Sequence, residues 1–176
     1  MTFDFSQFVS LNGSQMTFDE VIQAIFSYSQ QDSARGYRVI VGSDSEGYGD
    51  VRYASAIVVH RVGLGGRAFI CKNTVFTNQS LRQKIFNETA LSLALAQELV
   101  PRLTTLMGEE FVRDNLIVHV DVGQFGETKE MIREVVGMVR GSGFQVETKP
   151  FSYAASTVAD RFSAQPRRSE RLQFQT

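Results

Sequence analysis

The chain has 176 residues, 43% hydrophobic and 21% charged, with a formal net charge of −1. That length buries a core without staples, and the near-zero charge excludes a general attraction to nucleic acid, so any such binding must rest on a local patch or on bound metal. A single cysteine, Cys71, excludes an internal disulfide and a zinc cluster and suits a reducing cytosol. No basic segment followed by an apolar stretch opens the chain, and no run approaches the roughly 20 apolar residues of a membrane span. A cytoplasmic protein away from membranes is expected.

Residues 1–15 are polar with scattered phenylalanines and read as an arm over the domain. Thr17-Phe18-Asp19-Glu20 is a capping box, with Met16 and Val21 as a hydrophobic staple. Phe18, Val21, Ile22, Ile25 and Phe26 then recur at helical spacing, predicting a helix of about three turns. A polar break, Gln30 to Gly36, precedes Tyr37–Arg61. There Val39-Ile40-Val41 ends in Gly42-Ser43-Asp44 and a β-branched run, Ala56 to Val59, returns, which predicts a hairpin. The second strand is expected over Val51–Val62, and Gly63-Leu64-Gly65-Gly66 turns the chain into a third, Arg67–Phe76.

Ser80-Leu81-Arg82-Gln83 is a second capping box and opens the longest predicted helix. It should run to about Val100, where Pro101 ends or kinks it, with Arg102–Met107 resuming before Gly108. Leu116–Val120 is a short apolar run ending in Asp121. Ile132, Val135, Val136 and Val139 form the buried stripe of the next helix, stopped by Gly141 and Gly143. Phe144–Lys149 reads as the fifth strand, Pro150 follows, and a last helix is expected from Ser152 to about Phe162. The order α, βββ, α, β, α, β, α predicts an α/β fold: a mixed five-stranded sheet, three antiparallel strands plus two parallel, with helices on both faces. Residues 1–164 are expected to form a single domain, 1–36 an N-terminal arm and helix and 37–164 the core. Residues 165–176, with Arg167, Arg168 and Arg171, form a basic tail for which disorder is expected.

Asp44 is a carboxylate at the carboxyl end of a strand that reads as buried. An ion there costs several kcal/mol unless it is paired or binds a cation, although a turn aspartate bonding its own backbone is the plainer alternative. Asp121 ends another strand, and ligands of open α/β sheets bind at such ends. Glu88 interrupts the apolar stripe Leu81, Ile85, Leu91, Leu95; the plain alternative is that Lys84 tilts the pair to the helix edge. Asp160 follows Ala154-Ala155-Ser156, whose small side chains allow close approach to the sheet, though a helical aspartate alone is ordinarily a surface residue. Converging carboxylates repel unless hard cations neutralise them, and Mg²⁺ or Mn²⁺ prefer oxygen ligands. Two such ions about 4 Å apart can activate water and stabilise the leaving oxygen in phosphodiester cleavage.

With acids after strand one, on the long helix, after strand four and on the last helix, the order of elements resembles the ribonuclease H fold. The segments VGSDS, NETALSLALA, HVDVGQFGETKEMIREVVGMVRGSGF and KPFSYAASTVADR resemble the bacterial YkuK-type ribonuclease H-like family, over roughly residues 37–163. The last two of these segments are the most specific. The resemblance implies a metal-dependent nuclease with two Mg²⁺ or Mn²⁺ ions and a nucleic-acid partner, DNA or RNA. It implies that Asp44 bridges both ions, that Glu88 and Asp121 complete one, and that Asp160 completes the other beside the attacking water.

Other residues are secondary candidates. Lys149 stands where it can meet a phosphate, against the plainer reading of a solvated lysine. Ser43 and Ser45 can position waters or bond Asp44. His119 shares a strand face with Asp121 and reads as a satisfied core histidine; His60 ends the second strand. Gly123 and Gly126 precede a helix N-terminus and can offer amides to an anion, as plain helix entry also explains. Cys71 lacks a nearby histidine and is no candidate nucleophile. Two alternatives stand beside the nuclease. One is an actin- or sugar-kinase-like ATP-binding module, with Gly42-Ser43-Asp44-Ser45 and Asp121-Val122-Gly123 as its phosphate loops. The other is a non-catalytic nucleic-acid-binding protein of the same fold.

Overall fold

The computed structural model describes residues 3–32, 35–47, 50–123 and 129–152, with the side chains of 73–77 left aside. Its frame is a seven-stranded mixed sheet of order β2-β1-β5-β4-β3-β6-β7. The strands are β1 (Gln7–Ser10), β2 (Gln15–Thr17), β3 (Tyr37–Glu46), β4 (Asp50–Arg61), β5 (Gly65–Thr77), β6 (Leu116–Val120) and β7 (Gln145–Thr148). The meander β3-β4-β5 is antiparallel, while β6 and β7 add in parallel beside β3. Helical crossovers force that orientation, because a chain leaving one strand end must return to the other end of the sheet.

The sheet exceeds the expected five strands because the N-terminal arm is a hairpin. β1 pairs antiparallel with β2 and with β5, setting Val9 opposite Ile70. Asn12-Gly13 supplies the turn, with Gly13 at φ 88°, a region that favours glycine. Phe8 anchors the hairpin, fully buried and stacked at 5.3 Å on Phe18.

Helix α1 (Phe18–Ser29) starts at Thr17, whose side chain and that of Glu20 form the expected reciprocal cap. Helix α2 (Leu81–Met107) starts with the same device at Ser80 and Gln83. It does not stop at Pro101 but continues through it. Proline deprives the carbonyl one turn back, that of Gln97, of its partner; Gln97 and Pro101 both lie on the exposed side of the helix, where the loss costs least. The buried residues Leu95, Leu99 and Leu103 meanwhile hold the inner stripe continuous. A short helix that the sequence reading did not anticipate, α3 (Glu109–Asn115), leads into β6, and α4 (Ile132–Gly141) packs Val135 and Val139 inward.

The main core joins Val39, Val41, Ile57, Val59 and Val118 of the sheet to Val21, Ile25, Leu91, Leu95 and Val135 of the helices. Helix α2 touches α1, α4 and the central strands β3 and β6, so these three helices cover one face of the sheet. Alternation along β3 sends Ile40 to the other face, where it clusters with Val58 and Ala68. The helix expected after Ser152, which would supply the second helical layer, falls outside the described residues, as does the basic tail. No helix among the described residues is long and apolar enough to cross a membrane.

Candidate active site

Asp44 and Asp121 stand where parallel pairing between β3 and β6 gives out. Val39 pairs with Leu116 and Val41 with Val118; the same register carried forward sets Asp44 level with Asp121. β6 ends at Val120, whereas β3 continues to Glu46 against β4, so Asp121 leaves the sheet beside a strand that goes on. Such divergence opens a cleft at strand ends. On the other side Val120 pairs with Thr148, which sets Lys149 level with Asp121.

Glu88 approaches from α2. Ser45 Oγ donates to its Oε1 at 2.5 Å, which fixes the carboxylate at the end of β3. Burial of this head group is the main cause that pushes its pKa up to about 8. The Ser45 hydroxyl opposes the rise, the like charges of Asp44 and Asp121 add to it, and Lys84 pulls the other way. Lys84 does not draw Glu88 to the helix edge: its Nζ donates to the Gly47 carbonyl at 2.7 Å, tying α2 to the β3–β4 turn. Asn87, next to Glu88, donates to Gln79 at 3.1 Å and to Tyr53 Oη at 3.4 Å, which secures the first turns of α2 against β4.

Beneath the acids lies a buried serine layer. Ser43 Oγ is 2.8 Å from Ser55 Oγ, and Ser92 Oγ is 3.0 Å from Ser43 Oγ and 2.8 Å from the Glu88 carbonyl oxygen. Ser43, a candidate to position water or bond Asp44, faces α2 with only 4% of its surface exposed and links β3, β4 and the helix. Ser45 likewise acts on Glu88. Ser55 and Ser92 escape sequence reading because a lone serine on a strand or helix carries no periodic signal.

Asp121 Oδ1 is buried and lies 2.8 Å from Lys149 Nζ. The contact is side-on, without hydrogen-bond alignment, so it is an ion pair rather than a directed bond. Lys149, expected as a solvated lysine or a phosphate contact, is ion-paired with Asp121 while its side chain stays largely exposed. His119 is buried with Nε2 3.1 Å from Glu147 Oε2, and Arg38 Nη1 is 3.4 Å from the other oxygen of that carboxylate. Burial pulls the His119 pKa down, against the opposing pull of Glu147. The histidine lies on the sheet face in ion-pair range of Glu147, without an aligned hydrogen bond at Nε2. Cys71 is buried and its thiol is pushed up to about 12 by desolvation, which suits a packing role. Gly42 to Ser45 lie within β3, paired with Ala56 to Tyr53, so they do not form an open phosphate loop. Asp160 and Gly126 lie outside the described residues. A cavity of about 650 Å³ bounded by Phe3, Phe18, Ala94 and Arg102 lies on the helical side, and Asp44, Glu88 and Asp121 are not among its lining residues.

These groups suit a hard divalent cation. They are carboxylates; one holds its proton up to about pH 8 because burial and neighbouring charge disfavour ionisation, and another has a buried oxygen with no aligned donor. Among the described residues no three carboxylate, imidazole or thiol groups are gathered closely enough to hold an ion as they stand.

The arrangement defines an α/β protein with Asp44 and Asp121 at the divergence of two parallel strands. A family model described as ribonuclease H-like matches residues 20–164, and the chain belongs to that family, in its YkuK-type branch. The uncharacterized protein YkuK of Bacillus subtilis (strain 168) is 32% identical over 168 residues, covering 89% of this chain and 96% of that protein.

Proposed function

We propose that the protein is a metal-dependent nuclease that hydrolyses phosphodiester bonds of DNA or RNA with two Mg²⁺ or Mn²⁺ ions. One observation carries the reading: the half-buried Glu88 carboxyl is held by Ser45, with the like charges of Asp44 and Asp121 adding to the rise in its pKa. A desolvated acid facing two others is destabilising in isolation and is relieved by a cation. Asp44, Glu88 and Asp121 would hold the ions, with Asp160 as the fourth acid. Bound ions supply an activated water and neutralise charge on the leaving oxygen. The chain's own work is positional. β3 presents Asp44, the serine layer and Ser45 set Glu88, and the end of β6 aims Asp121.

The reading is tested with labelled single-stranded DNA, single-stranded RNA and hybrid duplex, each incubated with purified protein and Mn²⁺ or with chelator. Cleavage of at least one substrate is expected with Mn²⁺ alone, and Asp44→Asn should abolish it while keeping the fold. Cleavage by Asp44→Asn at the wild-type rate would place the activity elsewhere or in a contaminant.

A further inference from the structure

We propose that Lys149 is the resident cation of the acid site: its ammonium holds Asp121 until a divalent ion displaces it, and this competition sets how tightly the ion binds. The inference rests on reading the acids as a metal centre and names a control built into it. Lys149 Nζ stands 2.8 Å from the buried Asp121 Oδ1, the oxygen that an ion would need. An ammonium and a divalent cation cannot share one oxygen at such distances without strong repulsion.

The placement of Lys149 is not that of a long side chain folded over a convenient acid. Its main-chain N–H donates to the Val122 carbonyl at 2.9 Å, directly beyond Asp121. The pairing of Val120 with Thr148 fixes the level of both residues just before they leave the sheet. The backbone therefore delivers the ammonium to this carboxylate. The lysine side chain nonetheless stays 57% exposed, against 26% for Asp121, so it can swing into solvent without unpacking anything. A fixed base and a free head group are what an exchangeable counter-ion requires. Once displaced, the ammonium remains within one side-chain length of the ion-binding oxygen, where the phosphate of a bound strand would lie.

The test is calorimetric titration of MnCl₂, without nucleic acid, into wild type, Lys149→Met and Lys149→Arg. Losing a partly exposed competitor of this kind should tighten Mn²⁺ binding roughly threefold to tenfold in Lys149→Met. Lys149→Arg keeps the charge and should bind near the wild-type affinity. Unchanged or weaker binding by Lys149→Met, with wild type binding normally, would overturn the role of Lys149 and leave the metal centre standing. Equal tightening in both variants would overturn it too, since charge would not be the cause. If no protein binds Mn²⁺, the metal centre itself is wrong.

Discussion

Replacing Glu88 by glutamine removes a titrating group whose environment has a defined energetic consequence. Its pKa rises from the ordinary 4.5 to about 8, chiefly through burial, with Asp44 and Asp121 adding to the effect. The native state thus holds this proton more tightly than the unfolded chain does, so ionisation works against folding. The penalty is absent below about pH 4.5, grows as the pH rises and is complete above about pH 8. At 1.36 kcal/mol for each pH unit between the two values, it approaches about 4–5 kcal/mol. For a chain of this size that corresponds to a fall in Tm of about 10 °C or more. His119 tilts the profile the other way: burial lowers its pKa, so stability is lost as the pH falls below 6.5. The difference between wild type and Glu88→Gln cancels that contribution. Glutamine keeps an oxygen able to accept from Ser45 Oγ, so the contact at 2.5 Å need not be lost. The assay is chemical denaturation of both proteins in chelator at intervals from pH 5 to 8.5. The wild type should lose stability relative to Glu88→Gln across that window. Parallel curves would show that Glu88 titrates as an ordinary surface carboxyl, and the converging-acid site would fall with it.

Ser45→Ala removes the hydroxyl that opposes the rise in the Glu88 pKa, so the same denaturation series should show the Glu88 transition displaced to higher pH. An unmoved transition would mean that the 2.5 Å contact does not exist in solution. Phe8→Ala empties a fully buried site in β1 and should cost about 3–5 kcal/mol, measured by urea denaturation at neutral pH. A cost under about 1 kcal/mol would mean that the N-terminal hairpin is not part of the cooperative sheet.

The sequence disclosed the fold where local chemistry and tertiary packing agree. Thr17 with Glu20 and Ser80 with Gln83 marked two helix starts, and both caps form as reciprocal hydrogen bonds. The N-terminal hairpin was missed although Asn12-Gly13 is a strong turn signal, because its strands are short and polar on their outer side. Pro101 suggested a break or kink, but an exposed proline on a helix held by Leu95, Leu99 and Leu103 costs too little to end it. Asp44, Glu88 and Asp121 were legible as acids out of place on apolar elements, and the parallel register of β3 and β6 carried forward sets Asp44 level with Asp121. Ser55, Ser92 and the Lys149–Asp121 pair were not legible as contacts, because each depends on side-chain packing that no spacing encodes.

The most direct measurement is an anomalous difference map from a crystal of the full chain soaked in Mn²⁺. Density for Mn²⁺ is expected within oxygen-ligand distance of Asp44 and of Glu88 or Asp121, with the Lys149 ammonium moved off Asp121 Oδ1. A soaked crystal with no Mn²⁺ at these acids and Lys149 still paired with Asp121 would contradict it.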